Sequence, residues 1–246
     1  MPDNYQVFLL LALLSEIIGT LSGFGSSILL IPLASLFFDF KNVLAITAVF
    51  HVFSNLSKMF LFRNGIVRNI TLKMGISAVL MVILGAWLTR FIAIGSLELL
   101  MNILLMALAV FMMISFNRKF EQSDRNLYLG GAVSGFLAGL AGTGGAIRGL
   151  TLAAFNLPKD IFIANSALID LGVDLGRSFV YIYNQYFSMQ YVSLIPLLMV
   201  ISFAGTWLGR WILKYTSEKL FRYVVLLTVI ATALAQIVRH LNQDGI

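Results

Sequence analysis

The chain contains no cysteine, four prolines and two histidines. A disulfide framework is excluded, and the missing thiols carry no message about redox compartment, since nothing else here calls for a bridge. Two histidines without a thiol leave no credible transition-metal cluster, so neither metal nor cofactor is expected. Charge is scarce: Asp, Glu, Lys and Arg make up 11% of the 246 residues, where a soluble domain carries about a quarter. No glycine-rich stretch ends in Gly-Lys-Ser/Thr, which rules out ATP-driven work by this chain alone. No serine, histidine and aspartate stand in the context that nucleophilic hydrolysis requires. The chain reads as a non-enzyme.

Apolar residues fill the space instead. They form 59% of the chain, with a mean hydropathy of +0.92, and apolar runs longer than about 18 residues recur from end to end. A water-soluble enzyme and a disordered chain are thereby excluded. A transmembrane barrel is unfavoured, because it needs alternating segments of about 10 residues. At about 20 residues per span, the chain is nearly all membrane-embedded helix. The net charge of +6 belongs to helix ends that set orientation, not to nucleic acid. The N-terminus, Met1-Pro2-Asp3-Asn4, lacks a basic region and a small-residue cleavage site, so the run from residue 5 reads as a retained helix.

Ten apolar segments are expected, at 5–22, 26–38, 43–62, 72–90, 97–116, 127–141, 144–155, 160–183, 190–212 and 219–240. Two short pairs, 5–22/26–38 and 127–141/144–155, are interrupted by glycine: Gly23-Phe24-Gly25 and Gly139-Leu140-Ala141-Gly142-Thr143-Gly144-Gly145. Three longer segments follow each pair. Gly23 and Gly139 open the two breaks, and Ser26-Ser27 stands opposite Thr143-Gly144. A constant offset of 119 then pairs Thr47 with Ser166, His51 with Asp170, Asn55 with Asp174, Lys58 with Arg177 and Phe62 with Tyr181. Their spacing puts each set on one helical face. The expected fold is all-α and membrane-integral: two repeats, 1–120 and 121–246, each a glycine-broken helix pair followed by three spans.

Charge orients the halves. Arg63, Arg68, Lys73, Arg118, Lys119, Arg125, Lys159, Arg210, Lys214, Lys219 and Arg222 gather on one face, against Lys41, Arg90 and Arg239 on the other. The excess makes the first face cytoplasmic and both termini non-cytoplasmic. The second half is then inverted relative to the first, whether the short pairs cross or re-enter. Inverted repeats broken by glycine at matching positions are a mark of secondary transporters, with the binding site where the breaks meet.

The polar residues follow from that frame. Gly25, Ser26 and Ser27, and Gly142, Thr143, Gly144 and Gly145, would start half-helices whose free N–H groups and positive dipole ends suit an anion; tight helix packing is the plainer use of such residues. Arg148, inside the seventh segment, is costly unless it faces a cavity or a partner. It serves the substrate or pairs with Asp170 or Asp174. On the stripe Ser166, Asp170, Asp174, Arg177, Tyr181, Asp170 is within reach of Arg177, or Arg177 serves the anion while the aspartates balance it. Asp170, Asp174 and His51 are candidates to carry a coupled proton. Thr47, His51 and Asn55 form the milder matching stripe. Lys58 is expected to snorkel to the cytoplasmic end. Asn165, Tyr183 and Asn184 are weaker candidates.

The run Gly19-Thr20-Leu21-Ser22-Gly23-Phe24-Gly25-Ser26-Ser27-Ile28-Leu29-Leu30-Ile31-Pro32 resembles the sulfite exporter TauE/SafE family of membrane permeases, and it recurs loosely from Gly135 to Ala146. Ala45-Ile46-Thr47 and Ala164-Asn165-Ser166 fit the same pattern. The resemblance implies a bacterial or archaeal inner-membrane carrier of sulfite, sulfonates or related small organic anions. By position it points to Gly25, Ser26, Ser27, Gly142, Thr143, Gly144 and Gly145, with Thr47 and Ser166 beside them. Arg148-Gly149 departs from the family, whose members commonly continue apolar there, and an added cation alters charge preference. The expected function is alternating-access transport of a small sulfur-containing or carboxylated anion, with possible proton coupling. The alternatives are a passive anion channel and an intramembrane enzyme using Asp170 and Asp174.

Overall fold

The structure, a computed structural model, describes residues 5–22, 25–62, 65–114, 122–213 and 215. The expected segment 219–240, the repeat boundary at 120, Gly23-Phe24 and the cations Arg63, Arg118, Lys119, Lys214, Lys219, Arg222 and Arg239 lie outside the described residues. Among the described residues the regular structure is all helical. The helices are α1 (Tyr5–Ser22), α2 (Ser27–Ala34), α3 (Phe40–Leu61), α4 (Arg68–Leu88), α5 (Ile94–Ile114), α6 (Asp124–Ala141), α7 (Gly145–Ala153), α8 (Lys159–Tyr183) and α9 (Ile195–Leu213). Short 3₁₀ turns follow α4 and precede α9. Among the described residues, three helical stretches are long and apolar enough to cross a membrane: Phe40–Leu61, Arg68–Phe91 and Met189–Leu213.

Local chemistry fixes the boundaries. Asp39 caps α3 by accepting from the Asn42 amide, and Ser123 caps α6 by accepting from that of Asn126, each satisfying an amide that the first turn leaves unpaired. Pro158 precedes α8, where its fixed φ and missing N–H cost the helix nothing. The α6–α7 break begins at Gly142, whose φ of +77° ends α6 in the left-handed conformation; Gly25, before α2, has a φ of +88°. Only glycine takes such values without steric cost. Gly139, which the sequence suggested as the start of the second break, sits inside α6. With 8 and 9 residues, α2 and α7 reach about 12–14 Å at 1.5 Å per residue. That is less than half of a ~30 Å hydrocarbon core, so neither crosses it.

The helices assemble in pairs. α4 packs along α6, α1 along α9, and α3 along α8. Gly131, Gly135 and Gly139 form a stripe on α6 that lies on the α4 backbone at Met74, Ala78 and Val82 in turn, so the two helices run parallel. Gly205 and Gly209 on α9 lie against Glu16 and Thr20 of α1 in the same sense. Without a hydrophobic drive between helices in lipid, close backbone approach over small residues is what holds such pairs. One apolar cluster joins α4, α6, α7 and α8 through Met74, Ala78, Val82, Leu127, Leu152 and Val173. A larger one centres on α1, α2 and α3. Leu72, Ile76, Leu80 and Trp87 of α4, and Val200, Phe203, Trp207 and Trp211 of α9, point outward, an apolar surface that fits a lipid surrounding.

The two ends of the bundle differ. At one, Asn165 accepts from Val67 N and Thr71 Oγ1 and donates to the Gly65 and Ile161 carbonyls, while Lys73 pairs with Asp124. At the other, Tyr186 bonds Thr89 and lies under Lys41, and Ser188 donates to Asn42.

A Cβ at residue 135 would collide with the Ala78 backbone, whereas at Gly75 the nearest neighbour, an Ile169 methylene, is 3.8 Å away. Gly135→Val is therefore expected to cost about 1–3 kcal/mol or more through overpacking and to collapse the monodisperse fraction in detergent size-exclusion chromatography. Gly75→Ala leaves that fraction unchanged.

Candidate functional site

Deep in the bundle, where the α1–α2 and α6–α7 breaks face α3 and α8, a narrow polar cavity is lined by Gly25, Ser26, Ser27, His51, Asn55, Lys58, Gly142, Gly144, Gly145, Arg148, Asp170, Asp174 and Arg177. Its open centre has room for about one water molecule. His51 and Asp170 each lie eleven positions beyond the first residue of their helices, which sets the cavity halfway along α3 and α8.

Arginine organises the α7–α8 side. Arg148 donates from Nε to Ser166 Oγ at 2.9 Å and from Nη1 to Asp170, and a Cβ added at Gly25 would stand 3.7 Å from its Nη2. Arg177 donates from Nε to Asp174 Oδ1 at 2.7 Å, from Nη1 to the Gly142 carbonyl at 2.5 Å, and from Nη2 to His51 Nδ1 at 2.8 Å. Asp174 also accepts from Asn55 Nδ2 at 2.6 Å. The aspartates divide the arginines: Asp170 takes Arg148 and Asp174 takes Arg177, not the Asp170–Arg177 pairing that helical spacing allowed. Two carboxylates each held by a separate arginine are not a shared-proton pair.

The breaks themselves meet. Ser27 Oγ lies 3.5 Å from Thr143 Oγ1, at the starts of α2 and α7, the ends of a helix where the first backbone N–H groups lack intrahelical partners. Thr143 and Ser166 stand behind the cavity wall, the second as the anchor of Arg148. Thr47 is fully buried away from the cavity lining, and its hydroxyl has no hydrogen-bond partner among the described residues. Tyr181 donates to the Gly139 carbonyl at 2.5 Å and satisfies the end of α6. Asn165 is a loop staple, and Tyr183 is exposed.

A second polar network adjoins the first, and it was not legible in the sequence. Glu16 of α1 is completely buried. Its Oε1 accepts from Lys58 Nζ at 2.8 Å, Ser54 Oγ at 2.8 Å, Thr206 Oγ1 at 3.0 Å and Thr20 Oγ1 at 3.2 Å, and its Oε2 accepts from Ser26 Oγ at 2.8 Å. Lys58 therefore does not snorkel. Its ammonium turns inward, because a buried carboxylate attracts it more strongly than the bilayer rim does. Its one trace in the amino-acid order is Glu16 itself, an acidic residue within an otherwise apolar first segment, which no spacing pattern singled out. Ser26 joins the networks, with its Oγ 2.7 Å from His51 Nε2.

Removing one member of a buried pair strands the other charge, at a cost of about 3–5 kcal/mol. Arg177→Met is thus expected to lower the detergent melting temperature sharply. The double variant Arg177→Met/Asp174→Asn loses less than the sum of the single variants, by at least ~1 kcal/mol in a double-mutant cycle.

A sequence model of the family described as sulfite exporter TauE/SafE matches residues 8–235. No curated protein and no solved structure matches the chain. The family is one of membrane transporters for sulfite export, and the apolar helices fit a multi-pass membrane protein. The match runs from the first turn of α1 past the end of α9, across both breaks and every charged residue of the cavity, and on that basis the chain belongs to the sulfite exporter TauE/SafE family.

Proposed function

We propose that the protein is a secondary carrier that moves a small sulfur-containing or organic anion, such as sulfite or a sulfonate, by alternating access with a coupled proton. The observation that carries this reading is the pair of arginines held by aspartates where two broken helices meet. An arginine fork matches the paired oxygens of a sulfite, sulfonate or carboxylate, and the half-helix starts add N–H groups and positive dipole ends. Gly25, Ser26, Ser27, Gly142, Gly144 and Gly145 would shape the cradle, with Thr143 and Thr47 behind it. Arg148 would leave Asp170 for the anion, with Ser166 and Asn55 steering the freed groups.

Charge balance supports the coupled proton. Lys58, Arg148 and Arg177 face Glu16, Asp170 and Asp174, so the closed site is neutral. A monovalent anion entering it leaves one uncompensated negative charge in a medium that punishes such charge. A proton arriving with it, on Asp170, Asp174 or His51, restores neutrality.

The architecture we propose is two inverted repeats, 1–120 and 121–246. Exchanging the halves maps the α1–α9 contact onto α6–α4 and maps α3–α8 and α2–α7 onto themselves. Asn55 and Asp174, paired by the 119-residue offset, bond to each other, as residues beside a twofold axis would. The bundle end holding Asn165 and Lys73 would face the cytoplasm of a bacterial or archaeal cell, with both termini on the other side.

Three measurements test this. Purified protein in liposomes loaded with sulfite is expected to show counterflow of labelled sulfite; uptake that ignores trans-sulfite indicates a pore. Arg148→Ala, which deletes a charge-assisted bond of about 1.5–3 kcal/mol, lowers sulfite affinity at least ~10-fold, and unchanged affinity removes Arg148 from the site. Because the natural chain has no cysteine, single cysteines at Ile66 and Leu157 are expected to be labelled by an impermeant maleimide only from the cytoplasmic side, and those at Ile92 and Phe187 only from the other.

A further inference from the structure

The hydrogen inventory between Glu16 and Arg177 fixes a direction. Arginine has no acceptor, so its 2.8 Å contact makes His51 Nδ1 the acceptor. The proton of a neutral His51 then sits on Nε2 and is donated across 2.7 Å to Ser26 Oγ. The single Ser26 hydrogen is given onward to Glu16 Oε2 at 2.8 Å. Every bond from Arg177 through His51 and Ser26 points at Glu16. Lys58 is the charged group that faces Glu16 from α3, and His51 is the titratable one, reached through Ser26; α9 presents Thr206 and Gly205 there.

We infer that Glu16 is the carboxylate that takes the coupled proton, and that the Ser26 hydroxyl exchanges it against the anion. This rests on the proton-coupled reading above and assigns the proton to a residue outside the cavity lining. Ser26 immediately precedes α2 and lines the cavity, so an anion seated at the start of α2 competes with Glu16 for one hydrogen. Arg177, drawn to the same anion, uncovers His51 Nδ1. A proton from the aqueous side binds there, the Nε2 proton passes to Ser26 Oγ, and the Ser26 hydrogen passes to Glu16 Oε2. His51 and Ser26 end neutral, Glu16 ends as the acid, and one proton has entered with one anion. Neutral Glu16 holds Lys58 less tightly, which loosens the junction of α1, α3 and α9 that this carboxylate ties together.

The test uses the full chain in liposomes with sulfite as substrate, a trapped pH indicator and an imposed pH gradient. Wild-type protein is expected to move protons with sulfite and to accumulate it against its gradient. Glu16→Gln keeps sulfite counterflow but loses gradient-driven accumulation at least ~10-fold and the accompanying proton movement. Should that variant not fold, Glu16→Gln/Lys58→Met removes both charges together and is read by the protons moved per sulfite carried, whatever its rate of counterflow. Added sulfite should also raise the infrared band of a neutral carboxyl in wild-type protein, and that band should be missing from whichever of the two variants folds. Coupling that survives the Glu16 replacement, or a carboxyl band that persists in it and vanishes only in Asp170→Asn or Asp174→Asn, overturns the assignment and leaves proton coupling standing. Sulfite counterflow with no proton movement in wild-type protein instead overturns the coupling itself.

Discussion

Charge without water is the constraint on which this molecule is built. A lone lysine, arginine or carboxylate deep in a bundle surrounded by lipid is destabilising by several kcal/mol, and the described residues set three of each sign inside it. They are tolerable only because each finds a partner from another element or turn, and those partners dictate which helices touch. Lys58 and Glu16 pin α3 to α1, Arg148 and Asp170 pin α7 to α8, and Arg177 reaches the α6 terminus and α3 together. The apolar packing holds the frame, while the ion pairs select its register.

Glycine supplies the geometry that lets those charges converge. Gly25 and Gly142 take left-handed backbone angles where α2 and α7 begin, and the stripe Gly131, Gly135, Gly139 lets α6 lie on α4 without intervening side chains. A substitution at either kind of position harms the site without touching a charge: the first misdirects a half-helix, the second spreads the wall behind it.

Much of this was legible in the amino-acid order. Helix positions followed from apolar run length, within a few residues for α1, α3, α6 and α8, because lipid-embedded segments leave little competing signal. The α8 stripe was legible because its polar residues recur at three- and four-residue spacing. The pairing within it was not: Asp170, Asp174 and Arg177 are all within reach along one helix, and only the approach of α7 and α3 divides them. Glu16 escaped because its counterpart in the second half, at the 116-residue offset that pairs Gly23 with Gly139, is Ala132, so a search for matched polar pairs passes over it. Its partners Ser54 and Thr206 lie 38 and 190 residues away, beyond any local pattern. Lys58 was misread for the same reason, since its inward turn depends on that unseen carboxylate.

The Asn165 staple has a mechanical corollary. By gripping Gly65, Val67 and Thr71, it fastens the start of α4 to α8, while α4 is already seated on α6. α9 is likewise seated on α1 and α3. Each cohesive block therefore mixes helices from both ends of the chain, α4 riding with α6, α7 and α8, and α9 with α1, α2 and α3. Under the proposed alternating access, the lever arms are these interleaved blocks and not the two sequence halves, and the bending falls on the connection from α8 to α9, with its 3₁₀ stretch Met189–Leu194.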